Sequence, residues 1–426
     1  MPPIRSVLHF NTLANGGAAY AARKIHDSLV VSGVDSRYCY VDGSVNNPTY
    51  QKLRFRARAG VLGKVWHGIV RRFRQRIGAP RPGFLEPFGW STIPGLTIDL
   101  DLSDCRSIVH LHWIVGLLDY GEFFRNLPIA TPVVWTLHDM NPLTGGCHYA
   151  WECNGFIGRC TQCPQLARIG RRSMARTSQM LRRRTLADRN LHIVADSHWL
   201  EAEAKKSWIL ESALSFRTIH YGVDLEAFQP RKPLATRRRL GIDDAATVIA
   251  FGTDRLDNKR KGFLELCAAL ARLSEKENLE LLTFGELGNA LGPEGVKWQH
   301  LGVISSTEEL STLYSAADIY VMASLQEAFG QTAQEALACA TPVVAFDVGG
   351  ISDMVRPNQT GLLARVSDVD HLAQHISDLV LHPTTSKRLG QNGRDLMERQ
   401  FSLSKQRDSY LNLYTEISNN HAPQSA

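Results

Sequence analysis

A chain of 426 residues with 44% hydrophobic and 21% charged side chains has a globular composition and is too long for one core, so two domains of about 200 residues each are expected. No run of about 18 apolar residues offers a bilayer span, and the N-terminal MPPIRSVLHF lacks the basic segment, apolar core and small-residue cleavage site of a secretory signal. The net charge of +6 is unevenly spread, with 27 Lys and Arg against 16 Asp and Glu in residues 1–215. A cytoplasmic protein is the expectation, which argues against a disulfide framework for the eight cysteines.

The strand SVLHF (6–10) opens the chain. The Gly16-Gly17 pair after it suits a strand-to-helix turn whose backbone approaches a ligand closely. Ala18 to Val31 read as a helix and SRYCYV as the next strand. No acid stands between Asp42 and Glu86, while Lys52, Arg54, Arg56, Arg58, Lys64, Arg71, Arg72, Arg74, Arg76 and Arg81 are all basic. Within this block Val61, Leu62, Val65, Trp66, Ile69, Val70 and Phe73 recur at helical spacing. Such a basic amphipathic helix either lies on an anionic membrane surface with its apolar face inserted, or packs that face on its own domain. Nucleic acid is not expected as a partner, because no recognised binding fold accompanies the charge.

Three further strands, SIVHLHW (107–113), PVVWTLHD (132–139) and LHIVADS (191–197), end in polar residues. His138 stands at the end of the second, and His112, Ser197 and His198 are candidates for an acceptor side. Between the second and third, Cys147, Cys153, Cys160 and Cys163 are spaced C-x5-C-x6-C-x2-C. Four thiolates so close, ending in Cys-x-x-Cys, fit a structural zinc site, with disulfides or free thiols as the alternatives. A second basic block runs from Arg168 to Arg189.

A domain boundary falls in TIHYGVDLEAFQPRKPL, giving domains of 1–222, completed by about 401–426, and 223–400. The second half opens with VIAFGTD (248–254) and LELLTFGE (279–286), followed by an HLG turn (300–302). The loop FGTDRLDNKRKGF places Arg255, Lys259, Arg260 and Lys261 beyond a strand ending near Gly252. Cations there could hold a diphosphate. Next comes IYVMAS, with LQEAFGQTAQEALACATPVVAFDVGG after it. This is a βαβ unit in which Glu327 ends the first strand, Phe329-Gly330 makes a tight turn, and Glu335 lies in the helix. Open α/β sheets bind ligands at such strand ends, and the first N–H groups of a helix face a phosphate or hydroxyl well. A carboxylate such as Glu335 suits the paired hydroxyls of a ribose. After Phe401 the chain is helical again, and from Asn419 it is polar.

The spacing of Glu327 and Glu335 around Ala-Phe-Gly, followed by Thr-Pro-Val-Val and Gly-Gly, resembles the signature of retaining GT-B glycosyltransferases of family 4. HLHW, TLHD, TGGCHY and the cysteine cluster make the chain similar to bacterial exopolysaccharide transferases of the colanic acid type. The resemblance implies two Rossmann-like domains facing a central cleft, with a C-terminal helix crossing back to the first. It implies a UDP- or GDP-sugar donor, a saccharide or lipid-linked saccharide acceptor and no catalytic metal. With such an acceptor, the membrane-lying alternative for the basic amphipathic helix would give a peripheral place on the inner face of the plasma membrane.

Carried over residue by residue, the resemblance gives Glu327 and His138 to the transferred sugar. Gly16 and Gly17 then face the donor. Phe329, Gly330, Gln331 and Thr332 offer backbone N–H groups to sugar and phosphate, and Glu335 takes the ribose. Lys261, with Arg255 or Arg260, would stabilise the leaving diphosphate. Gln331 stands where many members carry an aliphatic residue. Two other classes use parts of this pattern: a glycoside hydrolase with paired carboxylates, and a sugar-nucleotide-binding protein without turnover.

Overall fold

The computed structural model describes residues 6–57, 60–80, 85–93, 96–98, 102, 107–166, 174–273 and 278–420. The chain forms two compact units, Met1–His220 with Ser404–Ala426, and Tyr221–Leu403. Each is built on a parallel sheet, and both are Rossmann-like. Arg58, Arg81, Arg168, Arg171 and Arg172 of the two basic blocks lie outside the described residues.

The first unit carries β1 (Val7–Phe10), β2 (Ser36–Tyr40), β3 (Tyr50–Lys52), β4 (Phe55–Ala57), β5 (Leu96–Ile98), β6 (Ile108–Leu111), β7 (Val133–Leu137), β8 (Leu191–Ala195) and β9 (Ser215–Thr218). Seven of these form one parallel sheet in the order β3-β2-β1-β6-β7-β8-β9, and β4 pairs antiparallel with β5 apart from it. A sheet covered on both faces needs uninterrupted apolar strands. β7 (VVWTL) and β8 (LHIVA) are buried at every position. The strand order reverses between β1 and β6, which is where an open sheet leaves a ligand crevice at its carboxyl end.

The second unit repeats the plan with β10 (Thr247–Arg255), β11 (Leu279–Glu286), β12 (Lys297–His300), β13 (Ile319–Met322), β14 (Val343–Phe346) and β15 (Gly361–Ala364). Their order is β12-β11-β10-β13-β14-β15, so the reversal lies between β10 and β13. One local expectation is corrected here. β10 continues past Gly252 to Arg255, with a register shift against β11 absorbing the polar end. KWQH before the HLG turn is an edge strand, too polar to read as one, and its Lys297 pairs with Glu280 at 2.8 Å.

The helix Leu403–Asn420 returns to the first unit. Its Tyr410, Leu413, Tyr414 and Ile417 pack with Val7, Ile25, Ile108, Val134 and Val194. Two phenols anchor it, Tyr414 on His110 Nδ1 at 2.7 Å and Tyr410 on Thr136 Oγ1 at 2.8 Å. The helix Gly60–Ile77 forms where the basic amphipathic pattern predicts it. Its apolar stripe does not pack on its own unit: Val61, Leu62, Val65, Trp66, Ile69 and Phe73 are all more than half exposed.

Candidate active site

At the reversal point of the second sheet, the loop after β10 meets the loop after β13. Glu327 sits five residues beyond Met322, nearly buried, at 8% exposure. Lys261 Nζ donates to Glu327 Oε2 at 2.7 Å, and the Arg260 guanidinium stands 3.7 Å from the same oxygen. Arg260 also donates to the carbonyl of Gln326 at 3.1 Å. Burial pushes the Glu327 carboxyl up, but Lys261 and Arg260 outweigh it and hold the group below the usual glutamate range. Glu327 is therefore ionised at neutral pH and already paired.

Two glycines allow that approach. A Cβ on Gly262 (φ 73°) would stand 1.7 Å from the Ala323 carbonyl oxygen. One on Gly349 (φ 59°) would stand 1.7 Å from the carbonyl oxygen of Glu327. The loop bearing the carboxylate is thus clamped from both sides by backbone that only glycine permits.

The helix Gln331–Ala338 starts at Gly330, whose φ of 99° turns the chain into it. Gln331 and Thr332 are half-buried in its first turn. Phe329 is in the core, its ring against Tyr221 and Phe401, so its contribution to a ligand is through backbone. Glu335 Oε2 accepts from the buried Tyr314 hydroxyl at 2.9 Å. Burial, and then the Glu335 charge, raise that phenol's pKa, so it stays a donor.

Of the two arginines, Arg260 is the one beside Glu327. Arg255 makes a two-point contact with Asp257, at 2.9 and 2.8 Å. The expectation named Arg255 with Arg260 as the alternative, and nothing in a basic loop's sequence says which side chain folds back onto the carboxylate.

In the first unit, Gly16 (φ 106°) caps the helix Gly17–Val31, and both glycines are exposed. His112 and His138 follow β6 and β7 and are bonded to each other, His112 Nδ1 to His138 Nε2 at 3.1 Å. Burial drops the His138 pKa to about 4, against the opposing pull of Asp139. The Ser197 hydroxyl caps the helix His198–Lys206, accepting from Leu200 N at 3.2 Å. His198 is exposed, with its ring 5.1 Å from that of His220.

Sequence reasoning missed Asp139 and Arg182. Asp139 accepts from Trp113 Nε1, Asn141 N and His148 Nδ1 at 3.0, 2.7 and 2.6 Å, fixing the segment after β7. Burial raises its pKa, and His148 with the other donors more than reverses that. Its place in TLHD, beside a candidate histidine, was the available signal. Arg182, read as part of a basic block, is fully buried and bonds the carbonyl oxygens of Gly89, Asn141 and Thr144.

Cys147, Cys153, Cys160 and Cys163 line one cavity of about 230 Å³, and none of the four is in a disulfide. Burial pushes Cys147 up to about 12 and Cys160 up to about 11, so both are neutral. The expected tetrahedron is not assembled. Among the described residues, no cysteine belongs to a group of three metal-ligating atoms within 4.8 Å of one another, whereas sulfurs sharing a zinc stand roughly 4 Å apart.

Residues 236–396 match the family model "Glycosyl transferases group 1". Alpha-maltose-1-phosphate synthase of Mycolicibacterium smegmatis is 25% identical over 375 residues, 80% of this chain and 90% of its own. D-inositol 3-phosphate glycosyltransferase of Saccharomonospora viridis is 32% identical over 221 residues, 47% of this chain and 50% of its own. The chain thus spans about half the length of that second relative. Among solved structures, sucrose-phosphate synthase from Thermosynechococcus elongatus matches with a TM-score of 0.68 at 20% identity, covering 98% of this chain and 100% of its own. Anabaena HepE in complex with UDP and glucose matches at 0.65 and 15%, covering 96% and 99%. The chain therefore has the fold of the GT-B glycosyltransferases, and residues 236–396 are the part that is similar to glycosyl transferases group 1.

Proposed function

We propose that the protein is a retaining glycosyltransferase of family 4 that moves a sugar from a UDP- or GDP-sugar to a saccharide or lipid-linked saccharide in bacterial exopolysaccharide assembly. The observation that carries this is the pair of half-buried Lys261 with buried Glu327, beyond the two strands that flank the reversal of the second sheet. Lys261 and Arg260 meet the donor diphosphate, Glu327 the sugar hydroxyls, and Glu335 the ribose. His138 contacts the transferred sugar. In the reaction, the bond between the anomeric carbon and the diphosphate oxygen breaks, and one to the acceptor oxygen forms on the same face. The acceptor proton passes to the departing phosphate. A hydrolase is disfavoured, because its paired carboxylates have no need of a cationic loop such as that of Arg260 and Lys261.

A thermal-shift screen with UDP, GDP, ADP and dTDP and their sugars identifies the donor, and steady-state kinetics then separate the two glutamates. Glu335→Ala weakens donor binding by about 2–4 kcal/mol, roughly 30- to 900-fold. Glu327→Ala lowers kcat more than it raises the donor KM. Wild-type constants in folded Glu327→Ala and Lys261→Ala would sink the assignment. Nucleotide binding without turnover over a broad acceptor panel would favour a binding protein instead.

The ion pair also predicts a pH signature. The depressed Glu327 pKa contributes stability that is present above the ordinary value of 4.5 and is lost as pH falls below it. Removing one partner of a buried pair costs about 3–5 kcal/mol. With Arg260 still 3.7 Å away, Lys261→Met loses an amount toward the lower end of that range at pH 7. Denaturant unfolding of the two proteins should converge as pH falls below 4.5 and through the depressed Glu327 pKa of the wild type, where the pair is lost. Equal stability of the two proteins at pH 7 would contradict the pairing.

The same reading places the enzyme peripherally on the inner face of the plasma membrane. Its support is the exposed stripe of Gly60–Ile77 beside Arg71, Arg72, Arg74 and Arg76. A cavity of about 810 Å³ adjoins that helix, lined by Phe88, Trp90, Ile93 and Leu96 with Arg71 and Arg74. Changing the four arginines to glutamine should weaken salt-sensitive binding to anionic vesicles. Equal sedimentation of the wild type with neutral and anionic vesicles would refute it.

The reading also takes the cysteine cavity as a structural zinc site, which requires the thiols to lose their protons and draw together around the ion. Purified protein would carry about one zinc per chain, and chelation would lower the unfolding temperature. Freshly reduced protein without zinc would leave free thiols.

A further inference from the structure

The cavity of about 810 Å³ lies between the helix Gly60–Ile77 and the chain that runs into β5. Sites for small molecules occupy roughly 300–1,000 Å³ and combine apolar walls with a few polar groups. The two walls here differ in that way. One is a helix face that carries Arg71 and Arg74, and the other is Phe88, Trp90, Ile93 and Leu96. Among the described residues, no acidic side chain lines the cavity. By helical spacing the two arginines stand across the helix axis from Leu62, Ile69 and Phe73, so the cationic wall is not the exposed apolar stripe.

Arg74 is held in place. It donates to the Thr92 carbonyl at 2.7 Å and to Thr92 Oγ1 at 2.6 Å, and its guanidinium stands 5.0 Å from the centre of the Trp90 ring. Arg71, one turn earlier, is exposed. The apolar wall continues beyond the cavity. Phe55, Ile93 and Leu96 are shared with a narrower one of about 50 Å³, which Leu117, Leu118 and Phe123 also line. Another part of the wall is Val115 and Gly116, in the loop after β6. Thr12 Oγ1 donates to the Val115 carbonyl at 2.9 Å and so ties that loop to the one after β1. β1 and β6 are the strands that flank the reversal of the first sheet. The cavity therefore reaches from the edge of that crevice to the amphipathic helix.

A ligand for such a site has two characters. A hydrocarbon chain gains by leaving water along the apolar wall, and a phosphate is what guanidinium groups hold best. A free sugar phosphate would leave the apolar wall uncovered, and an uncharged lipid would leave the arginines unused. The narrow continuation favours one chain over two.

We propose that this cavity binds the lipid carrier of the acceptor, a single hydrocarbon chain along Phe88, Trp90, Ile93 and Leu96. Its phosphate meets Arg71, with the charge of Arg74 behind it, and its saccharide points toward the loop after β6. This rests on the transferase reading for the saccharide, and not for the chain or the phosphate.

The test is calorimetry of the full chain with farnesyl phosphate, in solution, without vesicles and without a donor. One equivalent should bind. Farnesol and inorganic phosphate, which each carry one half of the ligand, should bind at least roughly 10-fold more weakly. Arg71→Gln changes an exposed side chain and should weaken farnesyl phosphate roughly 5- to 20-fold, the loss of one charge-assisted hydrogen bond. Leu96→Trp, which fills the wall common to the two cavities, should weaken it with Arg71 intact. Farnesyl phosphate that fails to bind, binds no tighter than farnesol, or binds folded Arg71→Gln as it binds the wild type would overturn the proposal. Equal or tighter binding of dihexanoyl phosphatidic acid would overturn it too, because the cavity would then take a two-chain membrane phospholipid. No turnover enters the measurement. Binding in a protein that transfers no sugar would keep the site and sink the transferase reading, whereas an active transferase that ignores farnesyl phosphate would lose the site alone.

Discussion

A carboxylate buried beside a sheet must be met by a cation or lose its charge, and the second unit is arranged around meeting that demand at Glu327. β10 and β13 are adjacent because the strand order reverses between them. Their two loops therefore leave the sheet side by side, one carrying Arg260 and Lys261 and the other Glu327. The contact at 2.7 Å requires the loop backbones to come closer than any Cβ allows, which is why Gly262 and Gly349 stand where they do. Substituting either would move the carbonyl of Ala323 or of Glu327 itself, and with it the carboxylate.

The first unit solves the same architectural problem with the opposite electrostatics. Its reversal point, between β1 and β6, is filled by neutral imidazoles bonded to one another and to hydroxyls, with no ion pair among them. Fully buried histidines lose their charge to desolvation, which is why they can fill this place without a counter-ion. The charged residue of that region, Asp139, is turned away into Trp113, Asn141 and His148, where it fixes backbone.

The chemistry of the sequence was most legible where it coincided with strand ends. Strands buried on both faces appear as continuous apolar runs, so the βαβ unit around Glu327 and the polar ends of β6 and β7 could be placed from residues alone. Side-chain direction within loops could not, and so Arg260 rather than Arg255 reaches the carboxylate. His9 looked like an ordinary strand residue. It joins the imidazoles at that reversal only because β1 pairs with β6 in the register that sets it opposite His110. The i, i+2 spacing of His110 and His112 was a usable sign that two histidines share one side of the chain. The amphipathic helix was readable as a helix, but periodicity does not say which face is covered, and its apolar face is the open one. Cysteine spacing suggested a zinc site, but the distances between sulfurs depend on backbone that spacing does not describe.

Why two cations flank one carboxylate follows from how differently they are held. Arg260 is 7% exposed and tied to the Gln326 carbonyl, so its planar guanidinium stays where it is. Lys261 is a compact point charge on a flexible stem with three donors, able to share or exchange partners. Lys261 can therefore exchange partners while the Arg260 guanidinium stays beside Glu327, so the carboxylate keeps a cation at hand and its charge with it.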